Sequence, residues 1–149
     1  MPDLDKALAY WTEVMGVGPF FIERHVTGDD EEYIYKGERC VQDVTVAHAY
    51  TGDLDIELIQ PNVIGPSPVC DFLARHPEGG AQHLGVLIDD WDKTLALPEV
   101  RDRLVLQGHA GNIRIAFVDG FPMGATALGV HRSQRRDPRQ VRPPEEGLQ

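Results

Sequence analysis

Apolar positions along the chain switch between a spacing of three to four and a spacing of two, and each switch marks an element. Leu4, Ala7, Leu8, Trp11 and Met15 recur at three and four, which is one stripe of a helix. Asp3, just before them, offers a carboxylate to the free amides of the first turn. Gly16 closes the pattern as a residue able to take positive φ. Residues 19–26 then read as extended and apolar, and the acidic run 29–32 as a solvated loop. Val41, Val44, Thr45 and Val46 favour a strand across residues 40–50. Thr51-Gly52-Asp53 has the chemistry of a hairpin turn, and residues 54–60 form the next strand, ended by Pro61.

Pro66-Ser67-Pro68 opens a short helix, with Ser67 as its cap and Pro68 where a missing amide costs nothing. Val69, Phe72 and Leu73 form its inner face, and His76-Pro77 ends it. After Gly79-Gly80, residues 82–88 read as a strand. An amphipathic stretch follows over 91–106, interrupted near Pro98, and residues 113–118 form a final clear strand.

A short repeat decides the architecture. Asp3-Leu4-Asp5-Lys6-Ala7-Leu8-Ala9 returns as Asp90-Trp91-Asp92-Lys93-Thr94-Leu95-Ala96, with five of seven residues identical. Both copies open a helix and are followed by strand-like segments, as two duplicated modules would be. The second copy follows a strand carrying His83, seven residues before Asp90. Only Met1 and Pro2 precede Asp3, so the matching strand of the first module would lie upstream of residue 1.

Composition narrows the partners. A chain of 149 residues suits one domain. Its formal net charge of −10, from 24 acidic and 14 basic residues, repels phosphate backbones and argues against nucleic acid. No run approaches the ~18 apolar residues of a membrane span, and no signal peptide is visible; a cytoplasmic location is expected. Cys40 and Cys70 lack a Cys-x-x-Cys spacing and read as reduced, partly buried small hydrophobes.

Two side chains stand out chemically. In the strand over 54–60, Leu54, Ile56 and Leu58 share the natural core face, while Asp55, Glu57 and Ile59 share the other. Glu57 sits mid-strand between apolar neighbours, where a carboxylate is costly unless paired, hydrogen-bonded or metal-bound. A half-exposed strand with one polar side explains it as simply. In the strand over 82–88, the apolar set Leu84, Val86 and Ile88 opposes His83. An imidazole and a carboxylate together suit a divalent metal, although a metal site needs at least three protein ligands.

Several stretches together carry a resemblance. They are Ile56-Glu57-Leu58-Ile59-Gln60-Pro61 with the helix after it, Gly79-Gly80-Ala81-Gln82-His83-Leu84-Gly85-Val86, the start Pro2-Asp3-Leu4-Asp5-Lys6-Ala7-Leu8, and Gly16-Val17-Gly18-Pro19-Phe20. As a set they resemble the vicinal-oxygen-chelate superfamily of glyoxalases, bleomycin resistance proteins and dioxygenases, above all its glyoxalase and methylmalonyl-CoA epimerase branch, over about residues 2–119. The resemblance implies an α+β fold of two βαβββ modules in a cupped mixed sheet. Residues 1–131 would form the domain, with module one over about 1–76 and module two over about 79–131. One divalent metal (Zn, Ni, Co, Mn or Fe) would be held from the first and fourth strands of each module. Carried over by position, Glu57 is the fourth-strand ligand of module one and His83 the first-strand ligand of module two.

The implied activity is that of a metal-dependent isomerase, epimerase or lyase. It would act on a small oxygen-chelating carbonyl or carboxylate substrate through an enolate-like intermediate, with no residue assigned as general base. A non-catalytic small-molecule binding protein on the same fold is the alternative. An extradiol-type dioxygenase is disfavoured, because it needs two His and a carboxylate within one module. A homodimer is also implied.

The chain departs from the family pattern at both ends. By this resemblance the first strand of module one is expected to be missing from these residues. Phe121-Pro122-Met123-Gly124 fits the turn before the last strand, but Ala125-Thr126-Ala127-Leu128-Gly129-Val130-His131 carries no acid, as though a shifted reading frame had replaced Leu-Glu-Tyr-Ile from Leu128. His131 is too poorly placed in the tail to substitute. Residues 132–149, rich in Arg, Pro and Gln, are expected to be a disordered tail. His25, His48, His76 and His109 read as structural or exposed, and Trp11 and Trp91 as core.

Overall fold

The computed structural model describes residues 1–28, 33–110, 113–119 and 127–132. The predicted acidic loop at 29–32, the turn at 121–124 and residues 133–149 of the predicted tail lie outside the described residues.

Helix α1 (Leu4–Ala9) starts where Asp3 accepts from the Lys6 amide at 3.0 Å, and a wider helical turn continues it over Tyr10–Val14. Gly16 takes φ 67° as expected. Strands β1 (Phe21–Thr27), β4 (Asp43–Thr51) and β5 (Leu54–Pro61) form an antiparallel sheet in the order β1-β4-β5. Between β1 and β4 the chain makes a hairpin that the hydrophobic pattern does not predict, β2 (Ile34–Tyr35) and β3 (Glu38–Arg39), turning on Lys36 and Gly37 at φ 51° and 85°. Helix α2 (Pro68–Arg75) begins as predicted, with Ser67 Oγ accepting from the Cys70 amide at 3.1 Å.

Module two runs β6 (His83–Leu87), α3 (Trp91–Ala96), α4 (Pro98–Arg101), β7 (Leu104–Ala110), β8 (Ile113–Asp119) and β9 (Ala127–Arg132). Its strands lie in the order β7-β8-β9-β6, with β6 parallel to β9, which is a complete βαβββ unit. The mixed α+β architecture is therefore as expected, with three corrections. The last strand, β9, expected to be atypical, pairs along its length with β6 and β8, and it extends to Arg132, assigned to the tail. The amphipathic stretch stops at Arg101, because residues 104–110 pair between β2 and β8 as a strand. And Leu84 and Val86 are exposed while His83 is the better-buried residue, since β6 ends the sheet and its apolar side is uncovered among the described residues.

The repeat is visible at atomic level. Asp90 accepts from the Lys93 amide at 3.1 Å just as Asp3 accepts from Lys6, and the residues after the two caps, Leu4 and Trp91, are both buried. Each anchors an outer cluster. Leu4 packs with Ala47 and Leu58, and Trp91 with Val100, Ala116 and Val118. A third cluster joins the modules: Tyr33, Tyr35 and Cys40 from the hairpin region pack on Leu106, Ile115 and Phe117 of module two. The hairpin reaches across because β2 pairs with β7, in the sheet of the other module. Its turn is tied back to α2, where Tyr35 Oη and Lys36 Nζ both donate to Asp71 Oδ2, at 2.7 and 2.6 Å.

Trp91 is only 1% exposed, so Trp91→Ala should cost about 3–5 kcal/mol in urea unfolding; a loss below about 1 kcal/mol would be that of an ordinary surface change. Asp71 offers a second check. Its carboxyl is held below its usual range, by Lys36 first and Tyr35 second. A depressed folded pKa contributes stability above the unfolded value, and that stability is lost as pH falls through the folded one. Asp71→Asn should thus lower stability at neutral pH and flatten its decline in acid. Parallel wild-type and variant curves across the carboxylate range would mean that the clasp contributes nothing.

Candidate functional site

The turn at Gly52 and Asp53 sets the register of the β4–β5 hairpin: Thr51 opposes Leu54, and stepping back three pairs brings His48 opposite Glu57. Directly opposed residues share a face. Leu58 and Ile56 therefore turn toward α1, as the alternation predicted, while Asp55, Glu57 and Ile59 face the inside of the cup together with Val46, His48 and Tyr50. Leu54, assigned to the core face, is exposed beside the turn.

The structure brings Glu57 and His83 together from different sheets. His83 Nε2 lies 3.5 Å from Glu57 Oε2, with the His83 side chain 10% and the Glu57 side chain 29% exposed. The other ring nitrogen, Nδ1, is 2.6 Å from Gln82 Oε1, and the ring stands edge-on to Phe117 at 4.8 Å between centroids. One side of His83 is thus packed and the opposite nitrogen is aimed at a carboxylate.

A third group joins them, a histidine whose sequence context alone suggests only a structural or exposed role. His48 Nε2 is 3.7 Å from Glu57 Oε1, and its Nδ1 is 3.1 Å from Asp55 Oδ2. The signal was available in the hairpin arithmetic, because the turn residues fix which side chain opposes Glu57. The remaining histidines stay apart: His25 pairs with Asp43 at 3.1 Å, His76 stacks on Phe72, and His109 lines a separate cavity with Trp91 and Arg114. His131 lies in β9, in register with Leu87 and Ile115.

The electrostatics of the cup are negative. Burial pushes the Tyr33 phenol above its usual value, with Cys40 and Glu57 adding to the effect. Burial also raises Tyr50, helped by Asp55, Glu23 and Glu57. Both phenols stay neutral and face carboxylates. Tyr33 is held deep by glycines: a Cβ at Gly28 or Gly108 would come within 2.0 or 2.6 Å of its ring.

Does this donor set fit a metal? A carboxylate and an imidazole suit a divalent ion, but a site needs more than two. Among the described residues no three His, Cys, Asp or Glu side chains are arranged to hold one. The position expected to carry the acid of the last strand is Gly129, which pairs with Gly85, two residues along β6 from His83, and with Phe117. The pair fits by chemistry; the count falls short. No helix among the described residues is long and apolar enough to cross a membrane.

A search of curated proteins returns no match. The family model of the glyoxalase/bleomycin resistance protein/dioxygenase superfamily matches residues 1–117, from the first capped helix to β8. With the βαβββ unit, the repeated caps and the cup already in view, that match settles the family: the chain belongs to the glyoxalase/bleomycin resistance protein/dioxygenase superfamily.

Proposed function

We propose that this chain is a glyoxalase-type isomerase, epimerase or lyase domain. Its substrate would be a small molecule carrying adjacent carbonyl or carboxylate oxygens. The observation that supports this is the meeting of Glu57 and His83, two residues on separate sheets whose functional atoms converge inside the cup. A carboxylate kept on an inner face costs stability unless it is used or paired. Glu57 remains partly accessible, so it can accept a proton from a bound carbon acid, while His83, braced by Gln82 and Phe117, holds its position.

Glu57 and His83 are also the two residues that would ligate a divalent metal, which supplies Lewis-acid polarisation of a substrate oxygen when bound. A second reading, a small-molecule binding protein on the same fold, is favoured by the absence of a three-donor group among the described residues and by glycine at position 129.

Metal content separates the two. Purified wild type is expected to retain Zn, Ni, Co, Mn or Fe, and Glu57→Ala to lose at least about tenfold in affinity, in line with changes around metal sites. Equal and negligible metal in both proteins would end the metal-enzyme reading and leave the binding protein.

A further inference from the structure

His48 has no role in the chemistry proposed for Glu57 and His83, yet it is the side chain most directly registered on Glu57. Its ring repeats the arrangement of His83. Each imidazole has Nδ1 on a side-chain oxygen, Asp55 for His48 and Gln82 for His83. Each turns Nε2 toward a different oxygen of the same carboxylate, Oε1 at 3.7 Å and Oε2 at 3.5 Å. Asp55 meets the ring with both oxygens, at 3.3 and 3.1 Å, which sets its rotation. A pair that only stabilised the hairpin surface would end at Asp55; this one continues inward to the centre of the cup. His48 is 28% exposed, comparable with Glu57, so the two occupy the same depth.

The geometry points to His48, oriented by Asp55, as a positioning residue that fixes the Glu57 carboxylate from the side His83 does not reach. The inference rests on Glu57 being the centre of the site. In structural terms, Asp55 and Glu57 lie two residues apart on one face of β5, and His48 fills the space opposite them from β4. Other titratable groups near this face are Tyr33, which feels the Glu57 charge, and Tyr50, which feels those of Asp55, Glu23 and Glu57.

Ring-nitrogen NMR of the metal-free, ¹⁵N-histidine-labelled protein at one pH tests this. Glu57→Gln is expected to shift the ring signals of both His48 and His83. His48→Ala is expected to shift those of His83, whose ring it reaches through Glu57, and His48→Gln, which restores a polar side chain at that position, to bring them back toward wild type. A merely structural His48 would leave His83 unmoved. The proposal is overturned if His48→Ala leaves the His83 ring signals in place, or if Glu57→Gln leaves those of His48 in place. Should His48→Ala fail to fold, Asp55→Asn decides the same question by whether the His83 signals move. None of these measurements depends on metal content, so this inference and the enzyme reading can fail separately.

Discussion

A carboxylate on the inner face of a strand is tolerated only when positive or hydrogen-bonding groups come to it, and Glu57 makes that demand on both sheets at once. His48 can meet it from the neighbouring strand, because the β4–β5 hairpin carries the two side by side. His83 cannot unless β6 of the other sheet comes near enough for its Nε2 to lie 3.5 Å from Glu57 Oε2. The packing of His83 against Phe117, and of Phe117 in one buried cluster with Tyr33, serves that approach.

What holds the modules at that distance is the short hairpin, not the site. Glu57 stays partly exposed, and a single pair of this kind contributes too little to carry a domain. Tyr33, Tyr35 and Cys40 instead bury apolar surface against Leu106, Ile115 and Phe117, and β2 extends the second sheet by pairing with β7. Residues 33–40 thus belong to module one by order in the chain and to module two by packing. The Tyr35 and Lys36 bonds to Asp71 then fasten the hairpin turn to α2, closing a loop of contacts around the cup.

How legible all this was depends on whether local chemistry or distant pairing decided each element. Capped helices were readable, since Asp3, Ser67 and Asp90 act on amides three residues away. So was the β4–β5 hairpin, whose register follows from its turn, and with it the inward face of Glu57. His48 was equally deducible, but only when its register with Glu57 is considered rather than each histidine by itself. The β2–β3 hairpin was not legible, because two-residue strands show no period. Nor was β7: Leu104 lies four after Val100 and continues a helical spacing, and Gly108 makes sense only once the Tyr33 ring lies against it. On β6 the alternation was right and its direction wrong, because apolar residues on an edge strand have nothing to turn toward among the described residues.

The two modules also show that keeping a fold and keeping a site are separate physical requirements. Strand pairing is a backbone property, so β9 keeps full register with β6 and β8 although position 129 is glycine. The equivalent strand of module one, β5, kept Glu57, together with Asp55 and the opposing His48. The chemistry has therefore collected on one side of the cup. A site with an acid in each fourth strand would divide its charge between modules; here the charged partners of His83 come from module one alone among the described residues. Under that asymmetry the orientation of a single carboxylate carries the whole centre, and the groups that fix Glu57 matter more than they would in a site with a second acid to share the work.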